Sequence, residues 1–81
     1  MEILKTEYEY LIFVEMPSAG KTSRYSCRNK KHNEQLGVIK WDGGWRQYVY
    51  LDTTPAKYSA GCLKDIGDFI KQLMEERKDN K

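Results

Sequence analysis

Histidine occurs once in this chain, cysteine and proline twice each, and no apolar run exceeds Leu11–Val14. Each shortage removes a class of protein. A run that short cannot cross a bilayer, which takes about 20 apolar residues. The N-terminal stretch lacks the basic start and small-residue cleavage site of a secretory signal. A cytoplasmic protein with no membrane association and both thiols reduced is therefore expected. Structural zinc wants four ligands in paired close spacings. Cys27 and His32 are separated by four residues and Cys62 stands alone, so no metal and no cofactor is expected. Strong charge of one sign is also missing. The net charge is +2, far from the basic footprint typical of nucleic-acid-binding domains. Nor is the chain poor in aromatics, as disordered segments are.

What is present fits one small domain. The whole chain, 1–81, is 81 residues long, too short for a deep cleft between two lobes. Its charge is unevenly placed. Lys21, Arg24, Arg28, Lys30, Lys31, Lys40 and Arg46 face only Glu34 and Asp42 within 21–46, whereas 1–20 is acidic. Such an excess attracts phosphates or an acidic protein, or is merely a solvated surface.

Tyr8 to Met16 alternates, with Tyr8, Tyr10, Ile12, Val14 and Met16 on one side and Leu11 and Phe13 on the other. Period two with aromatic and β-branched residues predicts a strand. Pro17 ends it, since proline cannot donate to the ladder, and Ser18–Thr22 reads as a loop. Arg24–Arg28 reads as a second strand, with Tyr25 and Cys27 opposed to Arg24, Ser26 and Arg28. Asn29–Asn33 is a polar turn. Gln35–Trp41 and Trp45–Leu51 form a hairpin, and Ala56–Ser59 is a candidate edge strand. From about Cys62 to Arg77, Leu63, Ile66, Phe69, Ile70, Leu73 and Met74 make one helical stripe. Lys64–Asp68 and Lys71–Glu75 are i,i+4 pairs of opposite sign. Ser59 or Gly61 is the expected cap. The stripe needs a sheet to cover it. The predicted fold is therefore α+β: an antiparallel β-meander of about four strands, sheet about 8–51, with one C-terminal helix, about 62–77, packed on one face.

The hairpin admits two registers. A two-residue Gly43-Gly44 loop opposes Asp42 to Trp45. Leu36, Val38, Lys40, Trp45, Gln47, Val49 and Leu51 then share one face, and Ile39, Trp41, Arg46, Tyr48 and Tyr50 the other. A three-residue Asp42-Gly43-Gly44 loop opposes Trp41 to Trp45 and regroups the faces. Arg46, Tyr48 and Tyr50 stay together in both. Tyr, Trp and Arg are the usual anchors of interfaces, so this trio is the candidate binding surface, with Arg24, Arg28 and Lys40 as electrostatic support. Tyrosines covering the outside of a small sheet, hydroxyls in water, explain the trio nearly as well.

No catalytic arrangement emerges. Gly20-Lys21-Thr22 ends like a phosphate-binding P-loop, but Glu15 stands where the first glycine belongs and a strand follows in place of the required helix. Cys62 lies near a helix N-terminus, where a thiol pKa falls, yet no base accompanies it. Asp65 and Asp68 read as surface carboxylates in helix ion pairs.

Cys27-Arg28-Asn29, Leu36-Gly37-x-Ile39-x-Trp41, Trp45-Arg46-Gln47-Tyr48 and Ser59-Ala60-Gly61-Cys62-Leu63-x-Asp65-Ile66-x-x-Phe69-Ile70 together form a pattern. From about Arg24 to Leu73 it resembles a group of small uncharacterised microbial and phage-associated proteins. That resemblance implies a self-contained small domain and supplies no activity, cofactor or ligand. The layout, a sheet followed by a helix, is similar to the arm-type DNA-binding domains of tyrosine recombinases, but layout alone does not carry function. The expectation is a non-enzymatic binding module, with a protein partner slightly favoured over nucleic acid. A thiol-dependent enzyme built on Cys62 is the remaining alternative. A monomer or weak homodimer is expected.

Overall fold

Aromatic and β-branched residues hold the first two-thirds of the chain extended, and the helical stripe takes up the rest. The computed structural model describes residues 4–17, 22–55 and 57–79, the last three by their backbone alone. Its elements are β1 (Leu11–Met16), β2 (Arg24–Asn29), β3 (Gln35–Asp42), β4 (Gln47–Asp52) and α1 (Ala60–Asp79). The strands form one antiparallel sheet in the order β1-β2-β3-β4. The helix packs on one side of it, giving the expected α+β meander.

The pairings assign every strand residue to a side, because opposed residues point the same way and neighbours alternate. Leu11, Phe13, Tyr25, Cys27, Gly37, Ile39, Trp41, Tyr48 and Tyr50 face the helix. Phe69 of α1 is fully buried at the centre. Its ring stacks on Phe13 at 4.2 Å and 3° and meets Tyr25 edge-on at 4.8 Å. Ile66 and Leu73 flank it, while Ile70 and Met74 are half-buried against the core. Burying Ile66, Phe69 and Leu73 contributes roughly 1.5–3 kcal/mol each. Leu63, the first residue of the predicted stripe, is 58% exposed instead.

The helix start is explained residue by residue. Ser59 Oγ accepts the Cys62 N–H at 3.2 Å and is the N-cap. At Gly61, any Cβ would collide with the Tyr10 ring. Asp65 is buried, not a surface carboxylate: it accepts the Tyr10 N–H at 3.2 Å. Lys64 and Asp68 do form the expected ion pair, at 2.9 Å.

Three expectations change. The first strand begins at Leu11, not Tyr8. The Tyr8 N–H bonds the Leu11 carbonyl at 2.8 Å, so the chain turns back there. Of the two sides, the one with Leu11 and Phe13 reaches the core, and Tyr10 is 47% exposed. A bulge between Cys27 and Arg28 pairs Arg28 with Gln35 and turns Leu36 into the core cluster. The proposed strand at Ala56–Ser59 does not form over Lys57–Ser59, and residue 56 lies outside the described residues. So do Ser18 to Lys21, which carry the P-loop-like string.

Candidate binding surface

The β3–β4 hairpin takes neither expected register. Asp42 pairs with Gln47 and Trp41 with Tyr48, which leaves Gly43-Gly44-Trp45-Arg46 as a four-residue turn. Asp42 Oδ1 accepts the Trp45 N–H at 3.0 Å, and Arg46 closes the turn with a left-handed φ of 56°. Side-chain hydrogen bonding by aspartate is a common way to stabilise a turn. The slip from the two-residue register is two places, so the strand residues other than the bulged Leu36 keep the sides that register assigns them.

That geometry dismantles the Arg46, Tyr48 and Tyr50 trio as a single exposed surface. Arg46 leaves the ladder and is exposed in the turn. Tyr48 is only 7% exposed. It packs edge-on against Trp41 at 5.4 Å, and its hydroxyl accepts the Ser23 N–H at 3.4 Å. Tyr50 is half-buried beneath Tyr58, their rings 5.9 Å apart. The two hydroxyls share a hydrogen bond, and Tyr58 donates on to Asp52 Oδ1 at 2.6 Å. Burial, first of all, raises the Tyr50 phenol well above its ordinary range, and the Tyr58 bond adds to this. The cause of the correction is the aromatic core: α1 lies on the side that carries the rings.

Arg24, Arg28 and Lys40 fall on the opposite, open side. Arg24 and Lys40 flank the Tyr25–Ile39 pair on neighbouring strands and are exposed. Arg28 is half-buried, its Nη1 donating to the Asn33 carbonyl at 2.8 Å. Between these cations runs a lateral row, Val14–Ser26–Val38–Leu51, one residue per strand. Val14 is 45% and Leu51 42% exposed. Ser26 and Val38, the two central residues of the row, are buried, and Ser26 donates to Gln35 Oε1 at 2.8 Å. Ile12 and Val49 extend the apolar area. Of the acidic residues on this side, Asp42 has its carboxylate engaged by the turn, and Glu7, bridged to Ile12, is paired with Lys30. The six candidates thus divide between the helix side, the turn and the open side. The aliphatic row was the missed component. Its signal was the alternation of aliphatics with rings along β3 and β4.

A second concavity, of about 480 Å³, opens at the other end of the sheet between the β2–β3 turn and the start of α1. Its charges are mixed: Lys30, Lys31 and Lys57 are set against Glu9 and Glu34. Lys30 is further tied to Glu7 at 2.8 Å, which lowers the Glu7 pKa. Cys62 lines this space with His32, and Ser59 Oγ donates to its sulfur at 3.4 Å. Cys27 is buried beneath the helix, and burial pushes its thiol up from 9.0 to about 12. Among the described residues no helix is long and apolar enough to cross a membrane.

No protein-family model matches the chain. No solved structure gives a significant match either. The chain is similar to an uncharacterised 9.3 kDa protein of Acholeplasma phage L2, with 37% identity over 78 residues, covering 96% of this chain and 99% of that one. End-to-end similarity at that level places the two proteins in one family, and this chain is a member of the family of the small phage L2 protein.

Proposed function

We propose that this protein is a non-enzymatic binding module whose open sheet face takes an acidic protein surface. One observation carries the reading. Arg24, Arg28 and Lys40 share that side with the row Val14–Ser26–Val38–Leu51, while Phe13, Tyr25, Trp41, Tyr48 and Tyr50 are on the helix side. Exposed aliphatics, Val14 and Leu51, beside exposed cations suit a protein partner. Single-stranded nucleic acid is held largely by stacking on exposed rings, and the open face offers aliphatics in their place. Cations on this margin steer an acidic partner and fix its orientation. A reducing cytoplasm suits two free thiols.

The test compares wild type with R24E/R28E/K40E, each immobilised and exposed to the same cell extract. Wild type retains a protein of acidic isoelectric point, and the variant loses it. Identical retention by both removes the open face from the reading. Nucleic acid makes a different forecast. Binding to DNA or RNA would collapse between about 50 and 200 mM salt as counterions are released, and that result would replace the protein reading.

A further inference from the structure

The sheet treats its two outer strands differently. Beyond β1, the chain folds back along the edge: the Phe13 N–H bonds the Thr6 carbonyl at 2.8 Å, and Glu7 bridges Ile12. Beyond β4, no strand pairs among the described residues. Free edges are normally guarded by lysine, proline or a bulge. Gln47-Tyr48-Val49-Tyr50-Leu51-Asp52 contains none of these.

Hydrogen-bond alternation shows what this edge offers. The Thr53 N–H bonds the Leu36 carbonyl at 3.0 Å, in register with the β3–β4 ladder. Bonded positions recur every second residue in an antiparallel pair. Gln47, Val49 and Leu51 therefore turn their amides to β3, and Tyr48, Tyr50 and Asp52 turn theirs outward. The strand is bounded by Arg46 at its start and Asp52 at its end.

We propose that two copies of this chain pair antiparallel through β4, about a twofold axis at Val49, into one continuous sheet. In that register Tyr48 opposes Tyr50 of the second copy, so the outward amides bond one another. Val49 opposes Val49 and Gln47 opposes Leu51, twice by symmetry. Arg46, in the turn just before the strand, then lies at the end of the joined sheet beside Asp52 of the second copy, and neighbouring opposite charges favour the pairing. Tyr58 takes one oxygen of Asp52 and leaves the other for the arginine. All open-face residues stay on one side of the joined sheet. The proposal is independent of the binding reading and leaves its face uncovered.

The experiment is sedimentation equilibrium of the full chain from 1 μM to 1 mM (roughly the range set by millimolar to micromolar dissociation constants), with amide exchange by NMR at both ends. The expected result is a species of twice the 9.6 kDa monomer mass. The Tyr48, Tyr50 and Asp52 amides gain protection as it forms, while those of Val49 and Leu51 are protected throughout. R46E and D52R each weaken the dimer about tenfold, since two Arg46–Asp52 contacts between the copies are lost at once, and R46E/D52R restores it. A chain that stays monomeric overturns the proposal and leaves the edge to a strand of another protein. So does a dimer indifferent to both charge reversals, or one in which the outward amides stay unprotected. Circular dichroism of each variant separates loss of pairing from loss of fold.

Discussion

The two sides of this sheet are built from the same strands and carry opposite chemistry. Under the helix, rings dominate: Phe13, Tyr25, Trp41, Tyr48 and Tyr50 gather around Phe69. On the open side the neighbours of those rings are Val14, Ser26, Val38, Lys40 and Leu51. Aromatic side chains bury the largest areas, so the helix is recruited to the ring side. The side left over is aliphatic and basic, which is why it is the candidate surface. Within the strands the rings belong to the core, whereas Trp45 in the turn is 71% and Tyr10 47% exposed, and the expectation of one open surface formed by Arg46, Tyr48 and Tyr50 is not met for that reason.

If the division is real, the two sides should respond unequally to damage. The largest effect is expected for Phe69→Ala, which deletes the ring shared by Phe13 and Tyr25. It should cost about 3–5 kcal/mol, a large share of the roughly 4–12 kcal/mol expected for a domain of this size. Urea unfolding measures it. A loss below about 1 kcal/mol would mean that the helix does not seal the sheet as described.

Gly37→Ala probes the same side through the backbone. A Cβ there meets the Leu51 carbonyl and the Tyr50 ring. Part of that obstacle is main chain and cannot swing away. Overpacking of this kind costs about 1–3 kcal/mol, readable as a lower midpoint of thermal unfolding.

Alkali should attack the helix side selectively. Burial holds the Cys27 thiol at about 12, against 9.0 when unperturbed, and likewise raises Tyr8, Tyr25 and Tyr50. These groups ionise in the unfolded chain first. Their contribution is intact below the unfolded pKa and falls as pH climbs towards the folded one. Stability should therefore decline from about pH 9 to about pH 12 for Cys27. Cys27→Ala should flatten that decline relative to wild type. Iodoacetamide at pH 8 (near the ordinary thiol pKa of about 8.5) should label Cys62 in the native protein and spare Cys27 until denaturant is added.

Tyr58→Phe removes one hydroxyl from the Tyr50–Tyr58–Asp52 chain. A loss of about 1–2 kcal/mol is expected, since the acceptor is a carboxylate. Smallest of all is Leu51→Ser on the open side. At 42% exposure it should change stability by no more than about 0.5 kcal/mol while weakening capture of the acidic partner. A large loss of stability there would show that the open side belongs to the core.

Much of this fold was legible. The helix, the β2 alternation of Tyr25 and Cys27 against Arg24, Ser26 and Arg28, and the Ser59 cap all follow local rules that the tertiary structure leaves intact. The candidate site was legible only in part. Arg24, Arg28 and Lys40 share the open face because strand alternation alone decides their side. Arg46, Tyr48 and Tyr50 were read as one face by the same alternation, which holds only while Arg46 remains in the ladder. A turn closed by Asp42 and a left-handed Arg46 removes it.

By itself, then, the sequence determined the elements, their order and the period-two partition of each strand, because these depend on neighbours a few residues apart. Tertiary structure decided which side of the sheet the helix covers, the turn length, the bulge that turns in Leu36, and which edge stays open. Those choices compare energies of residues far apart in the chain. Phe69 against Phe13 and Tyr25 outweighs any local preference, and only the folded chain brings them together.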